Sequence, residues 1–361
     1  MKYALTTVAL AFALAVSPQV RPLVHERLED PTKFNPTKGD SQVEPLRLVR
    51  TMEVPGVEGK FDHFAVDLKG KRLFLSSPAH KTVEVFDLAA GKWIHSIGGF
   101  VTPHAILYIP NSNRLLISDG GDDTPNGWCR IVRGDTYEII DSLKLAVDAD
   151  PIRYDPATKH LYIANGGKDA GNNYSLISVI DTTNGKHVGD IRVESPELEA
   201  MAVERSGARL FVNIKTHNQI GIIDPEKQQV VSTWPIPDAK VPTPMALDED
   251  HHRLLVACRT PPRLVVFNTE TGKEVASVPC GGGADDMFYD GARKRIYITG
   301  EEGLITIIGQ TNPDRYEPIK TISTGPLARN SLFVPELNQF FVAVPGKGEQ
   351  KAKVLVFQVE P

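Results

Sequence analysis

Apolar and polar positions follow one pattern that recurs seven times along the chain. Each occurrence consists of a short apolar strand, a polar turn and a second apolar strand, as in DHFAVDLKGKRLFLS. The shortest step between occurrences is 42 residues, from 62 to 104, and the longest is 49, from 150 to 199. The occurrences begin at Asp62, His104, Asp150, Glu199, Thr243, Asp285 and Arg329. Strand-rich repeats of about 40–50 residues are typical of β-propeller blades.

The first repeat predicts the anatomy of one blade. Four apolar segments, separated by polar turns, predict four strands at residues 61–67, 72–77, 82–87 and 93–100. The turn before the fourth strand reads FDLAAGK, and later repeats have IDTTNGK and FNTETGK there. Asp, Asn and Gly favour tight hairpins because they tolerate positive φ. Seven such blades account for residues 45–361, so we predict an all-β chain that folds as a seven-bladed β-propeller.

The last repeat supplies only three strands. Its third strand is KVLVFQVEP, at residues 353–361, and a strand-like segment, LRLVRTMEV at 46–54, precedes the first repeat. An open ring would leave sheet edges unpaired. We therefore predict that the N-terminal strand pairs with the last blade and closes the ring.

The N-terminal region is predicted to lie outside the propeller. Lys2 precedes an apolar run from Ala4 to Val16, which has the length of the apolar region of a secretory signal peptide and is too short to span a bilayer. We expect a signal peptide at residues 1–17, a periplasmic or secreted protein, and no transmembrane domain after cleavage; the alternative is an uncleaved N-terminal anchor. Residues 18–44 are rich in proline and charge, which predicts a flexible leader.

Composition narrows the expected partners and cofactors. The formal net charge is −5, and a protein without a basic excess is not expected to bind nucleic acid. Cys129, Cys258 and Cys280 have no close spacing, so we predict free, mostly buried thiols. No CxxCH motif occurs, so we expect no haem c. The predicted oligomeric state is a monomer.

The second strands and the hairpin turns carry a resemblance to a known family. HLYIANGG and RLFVNI, together with IDTTNGK and FNTETGK, resemble the YVTN-type (YncE-like) seven-bladed propellers over about residues 45–361. The resemblance implies that fold and, as in many members, export to the periplasm or cell surface. Relatives include propeller domains of denitrification enzymes and lactonase-like propellers. The covalent-haem motif and the multi-histidine copper cluster of the denitrification propellers are not matched here.

Six of the seven repeats begin with an ionisable residue. The first strand of each propeller blade lines the central channel, so these residues should meet at the channel mouth. Crowded carboxylates raise one another's pKa unless a cation lies among them. We therefore predict a divalent cation at the mouth, either Ca²⁺ held by oxygens or a transition metal held by imidazoles and acids. The candidate metal ligands are Asp62, Asp150, Glu199 and Asp285.

A second set of polar residues is expected to bind a ligand at the same mouth. Five of them are placed at the mouth by the alignment of the repeats, and Arg259 lies in the loop between the second and third strands of blade five. They are His63, His104, Arg259, Asp286, Arg329 and Asn330. The alternative interpretation is structural, because an acid before a strand often accepts hydrogen bonds from the backbone N–H groups of a turn.

Three functions fit this sequence. The first is an exported binding protein with a small polar ligand or a cation at the channel mouth. The second is a metal-dependent, lactonase-like hydrolase, in which a divalent ion polarises a carbonyl group and activates water. The third is a scaffold whose rim loops, including residues 118–128, bind another envelope protein. The sequence contains no GxSxG motif of a serine hydrolase.

Overall fold

The structure is a computed structural model that describes residues 44–122 and 124–361. The signal peptide predicted at 1–17 lies outside the described residues, and so does the predicted leader at 18–44 apart from Glu44. Within the described part, no helix is long and apolar enough to cross a membrane. This part consists of 28 strands and four short 3-10 turns, the latter at Pro78–His80, Gly167–Ala170, Glu249–His251 and Pro335–Leu337.

The strands are numbered in chain order and grouped here by blade. After the N-terminal β1 (Leu46–Glu53), blade one contains β2 (Phe64–Asp67), β3 (Arg72–Ser77), β4 (Thr82–Asp87) and β5 (Lys92–Ile97). Blade two contains β6 (Pro103–Ile109), β7 (Arg114–Asp119), β8 (Gly127–Arg133) and β9 (Ile139–Leu145). Blade three contains β10 (Ile152–Asp155), β11 (His160–Gly166), β12 (Ser175–Asp181) and β13 (Lys186–Val193).

The remaining blades have the same meander topology. Blade four contains β14 (Leu198–Val203), β15 (Leu210–Ile214), β16 (Gln219–Asp224) and β17 (Gln229–Pro235). Blade five contains β18 (Lys240–Asp248), β19 (Arg253–Thr260), β20 (Pro262–Asn268) and β21 (Glu274–Pro279). Blade six contains β22 (Ala284–Asp290), β23 (Arg295–Gly300), β24 (Leu304–Asn312) and β25 (Arg315–Ser323). Blade seven contains β26 (Ser331–Val334), β27 (Gln339–Val344) and β28 (Lys353–Val359).

The N-terminal strand completes blade seven. The sheet order is β1-β28-β27-β26, and β1 pairs antiparallel with β28 from Leu46 opposite Val359 to Glu53 opposite Lys353. The seven four-stranded antiparallel sheets therefore form the predicted seven-bladed propeller, and the predicted closure by an N-terminal strand is confirmed. Pairing β1 in this way removes the edge that β28 would otherwise expose.

The first strands of the blades form the inner wall of the ring. Each contacts the first strand of the next blade, and β26 contacts β2. The apolar core is divided into seven clusters, each between two neighbouring blades. Burial is therefore shared around the ring, and blades stabilise one another through their faces. All three cysteines are free and buried, as predicted.

Candidate functional site

The residues that begin the repeats converge at one end of the central channel. Six of them line a single cavity of about 210 Å³, together with His63, Lys215 and Arg259. We call this end of the channel the mouth. The six residues are Asp62, Asp150, Glu199, Thr243, Asp285 and Arg329.

Local irregularities in the sheets position part of this set. In blades one, three and seven these residues lie just before the first strand, and in blades two, four, five and six they lie inside it. There the pairing with the second strand shifts at a bulge, within 103–106, 198–201, 242–245 and 284–286. A β-bulge changes the direction of a side chain relative to regular alternation. The sequence repeat gave the register but not these bulges.

Asp62 and two histidines form the centre of the mouth. Oδ2 of Asp62 lies 2.7 Å from Nδ1 of His104, and Oδ1 of Asp62 lies 3.3 Å from Nε2 of His63. Nδ1 of His63 lies 3.1 Å from Oδ1 of Asp286. The other Asp286 oxygen accepts a 2.7 Å hydrogen bond from the backbone N–H of Ser331. His63 therefore lies between carboxylates from blades one and six.

Asp150 faces the same group from blade three. Its Oδ1 lies 3.9 Å from Nδ1 of His104 and is buried without a hydrogen-bond partner among the described residues. Nε2 of His104 is also buried and unpaired. Gly120 makes room for this imidazole, because a Cβ at position 120 would lie 2.8 Å from Nε2. Two unsatisfied polar atoms at one buried position call for an explanation.

The other acids of the mouth are paired with permanent cations. Asp285 contacts Arg259, and its Oδ2 lies 3.2 Å from Nε of Arg329 and accepts a 2.9 Å hydrogen bond from Asn330. Glu199 lies 2.7 Å from Nζ of Lys215. The predicted ligand-binding residues Arg259, Arg329 and Asn330 thus lie at the mouth, in contact with Asp285. Asp285 and Glu199 each already have a cationic side chain as a partner.

The crowding shifts the pKa values of the mouth in both directions. Burial raises the pKa of Asp62, but His63 and His104 outweigh it and lower the pKa to about 2. Burial raises the pKa of Asp150 to about 6 and that of Asp285 to about 7. Burial lowers the pKa of His104, but Asp150 and Asp62 outweigh it and raise the pKa to about 10. Such perturbed groups in a cavity are typical of functional sites.

A neighbouring pocket contains an acid that we did not predict. This pocket has a volume of about 190 Å³, is lined by Asp148 and Asp150, and extends between blades three and four to Lys168 and Lys215. Burial, together with Asp150 and Asp169, raises the pKa of Asp148 to about 7. In the sequence, Asp148 is marked only by its position two residues before Asp150. It lies outside the repeat, so the alignment of the repeats did not predict it.

The rim loop at 118–128 is partly structural. Asp119 is fully buried, accepts hydrogen bonds from the backbone N–H groups of Val101 and Thr102, and pairs with Arg130 at 2.9 Å. Its role is to hold the loop onto the neighbouring connection.

One group of side chains has the arrangement of a metal site. Asp62, His63 and Asp150 each offer one ligand atom, and these atoms lie within 4.8 Å of one another. Two carboxylates and one imidazole form a donor set that suits a divalent transition metal better than Ca²⁺, which prefers oxygen ligands alone.

Comparisons with known proteins support the fold. No protein-family model matches the chain, and no curated protein matches it. The chain is similar to a solved structure of Kuenenia stuttgartiensis hydrazine synthase, with a TM-score of 0.71, 18% identity, and coverage of 85% of this chain and 99% of that chain. It is also similar to a chain in a crystal structure of the mitotic checkpoint complex, with a TM-score of 0.69, 13% identity, and coverage of 97% and 99%. At these identities the similarity shows the β-propeller fold alone, and the YVTN-type resemblance stays a prediction.

Proposed function

We propose that this protein binds a divalent transition-metal ion at the mouth of its propeller channel and uses the site to bind a small polar ligand. The observation that carries the proposal is the convergence of one atom each from Asp62, His63 and Asp150 within 4.8 Å. These residues come from blades one and three, so the ring itself assembles the group.

Charge pairing singles out these ligands among the acids of the mouth. Glu199 lies next to Lys215, and Asp285 lies next to Arg259 and Arg329. Asp62 and Asp150 form ion pairs only with histidines among the described residues. Two carboxylates that share no permanent cation repel each other, and a bound cation removes that repulsion. We therefore leave Glu199 and Asp285 out of the proposed ligand set.

The surrounding contacts match the outer shell of a metal-binding histidine. With its proton on Nδ1, His63 donates to Asp286, which leaves the lone pair of Nε2 free beside Asp62. Ser331 holds Asp286 in turn. Such carboxylate–histidine pairs fix the tautomer and the ring orientation of metal ligands. His104 holds the second Asp62 oxygen in the same way.

Metal analysis of the purified protein tests the proposal. We expect about one equivalent of Zn²⁺, Mn²⁺, Ni²⁺ or Co²⁺ after loading and dialysis, and none after chelation. Asp150→Asn and His63→Ala should lose stoichiometric binding because each removes one of three ligands. Glu199→Gln is the matched control, an acid of the same mouth outside the ligand set, and should retain the metal. A metal-free wild-type protein after loading, or equal loss in Glu199→Gln, would refute the site.

The outer shell gives a graded test. Asp286→Asn removes the carboxylate that orients His63 but no ligand atom. We expect metal affinity to fall by about 10–100-fold, the usual cost of losing an outer-shell partner. Competition with a chromophoric chelator measures the change. An unchanged affinity would show that Asp286 has no part in orienting the ligand.

A second candidate function is the metal-dependent hydrolase. The observation that favours it is Asp285, which lines the same cavity and has a pKa raised to about 7, where a carboxyl group can exchange protons near neutral pH. A bound metal would supply Lewis-acid polarisation of a carbonyl group. We expect chelator-sensitive hydrolysis of some member of a lactone panel, lost in Asp150→Asn. A metal-loaded protein that is inactive on the whole panel favours the binding protein.

A further inference from the structure

Below the mouth, the central channel contains a second chamber with a different character. It has a volume of about 200 Å³ and is lined by residues from all seven blades. Its walls are mainly apolar, and its lining includes Phe64, Ile106, Met201, Met245 and Phe288. Apolar walls with one or two polar groups are typical of binding sites for small organic molecules.

Arg153 is the one permanent cation among the residues that line this chamber. It lies on β10, the inner strand of blade three, and its side chain is accessible to channel water. No described residue forms an ion pair or a side-chain hydrogen bond with it, and no charged group of the protein shifts its pKa. Other arginines near the channel, such as Arg259 and Arg329, are paired with acids.

Arg153 is exposed in the channel and has no partner among the described residues, so its guanidinium is available to an anion from solution. The planar guanidinium forms two parallel hydrogen bonds with a carboxylate, which gives both energy and orientation. The chamber therefore combines an anion-binding group with walls that favour an apolar body.

We infer that the channel chamber binds a small organic carboxylate, with its anionic group on Arg153 and its apolar body against the inner strands. A single charge is preferred over a phosphate or a sulfate for two reasons. The lining of the chamber includes only one permanent cation, and it also includes two carboxyl groups, Asp285 and Asp286, which disfavour a second negative charge on the ligand. The inference does not depend on the metal proposed at the mouth.

Titration calorimetry with straight-chain carboxylates of four to ten carbons and with benzoate tests this inference. The titrations are run with and without a chelator, with the matching alcohols and sulfate as ligand controls. We expect at least one carboxylate to bind more tightly than its alcohol and than sulfate, with and without the chelator. Failure of every carboxylate, or equal binding of sulfate, would overturn the inference. Binding lost on chelation would tie the ligand to the mouth and would also overturn it.

Substitution of Arg153 identifies the binding group. Arg153→Gln should weaken carboxylate binding about 10–100-fold, because it removes a charge-assisted hydrogen bond. Arg133→Gln is the control, since Arg133 is exposed on β8, and should bind like the wild type. Equal affinity in Arg153→Gln and wild type would show that the anion lies elsewhere.

Stability of the ligand-free protein separates a binding role from a structural role. Arg153→Met should leave the melting temperature nearly unchanged, because the guanidinium has no ion pair or side-chain hydrogen bond with a described residue to lose and the replacement has a similar length. The same variant should show no stabilisation by the carboxylate, whereas the wild type should melt at a higher temperature in its presence. A clear loss of ligand-free stability in Arg153→Met would mean that Arg153 holds the fold.

Discussion

Histidine and aspartate side chains alternate around the channel mouth. His104 lies between Asp62 and Asp150, and His63 lies between Asp62 and Asp286. Each carboxylate lowers the cost of a charged imidazole, and each imidazole lowers the pKa of a neighbouring carboxyl group. The group therefore accepts either protons on its histidines or a metal ion between its acids.

Asp285 gives a pH prediction at the residue scale. Burial raises its pKa from 3.8 to about 7, with Asp286 and Asp62 adding to the effect and Arg329 opposing it. The folded protein thus binds this proton more tightly than the unfolded chain does. The stability from this group is fully present below about pH 4 and is lost as the pH rises through about 7. When the pH is raised from about 4 to about 7, the unfolding free energy of Asp285→Asn should therefore fall by less than that of the wild type.

Urea unfolding of the metal-free protein at both pH values measures the difference. Glu317→Gln, at an exposed ion pair on β25, is the control and should follow the wild type. A pH dependence in Asp285→Asn that equals or exceeds that of the wild type would contradict the assignment.

Arginines at the start of the second strands connect neighbouring blades. Arg72 donates to the carbonyl oxygen of Gly134 in blade two, and Arg209 donates to that of Thr269 in blade five. The same contact recurs from blade five to blade six through Arg253 and from blade six to blade seven through Arg295. Each arginine donates to a backbone carbonyl outside the strands of the next blade, in a turn for the first three and after β28 for Arg295, so these residues act as staples between blades.

Removal of one staple tests this interpretation. Arg72→Ala should reduce the unfolding free energy by about 1–3 kcal/mol, because it removes the ion pair of Asp67 and the side-chain donor to the Gly134 carbonyl. Arg114→Ala is the matched control at the equivalent position of blade two, where no such contact is present among the described residues. It should change stability by no more than about 0.5 kcal/mol. Equal effects in chemical denaturation would contradict the staple.

Closure of the ring connects the two ends of the propeller domain. The side chain of Met52 on β1 is 2% exposed and packs in the cluster shared by blades seven and one. Leu48 on the same strand is 52% exposed. The strand thus adds both backbone pairing and apolar burial to the last blade.

The two residues provide a test of closure at the scale of the molecule. Met52→Ala should cost about 2–5 kcal/mol, because it leaves a cavity between the first and last blades. Leu48→Ala should cost no more than about 0.5 kcal/mol. Thermal and urea unfolding of both variants measure the difference. If the two substitutions had the same small effect, β1 would not contribute to the core.

The sequence by itself determined the architecture. A blade is a local unit of about 45 residues, so its strands and turns are formed by consecutive residues. Seven repeats and one additional N-terminal strand therefore predict a closed ring. The register of the repeat also placed Asp62, Asp150 and the other acids at one end of the channel.

Only the tertiary structure decided which of these residues are free to bind. Glu199 and Asp285 looked equivalent to Asp62 and Asp150 in the repeat, yet the first two meet lysine or arginine and the last two meet histidine. Arg153 gave no sequence signal, because what distinguishes it is a missing partner. Such pairings join residues far apart in the chain, such as Asn330 and Asp62. They depend on bulges and side-chain directions that a repeat pattern does not encode.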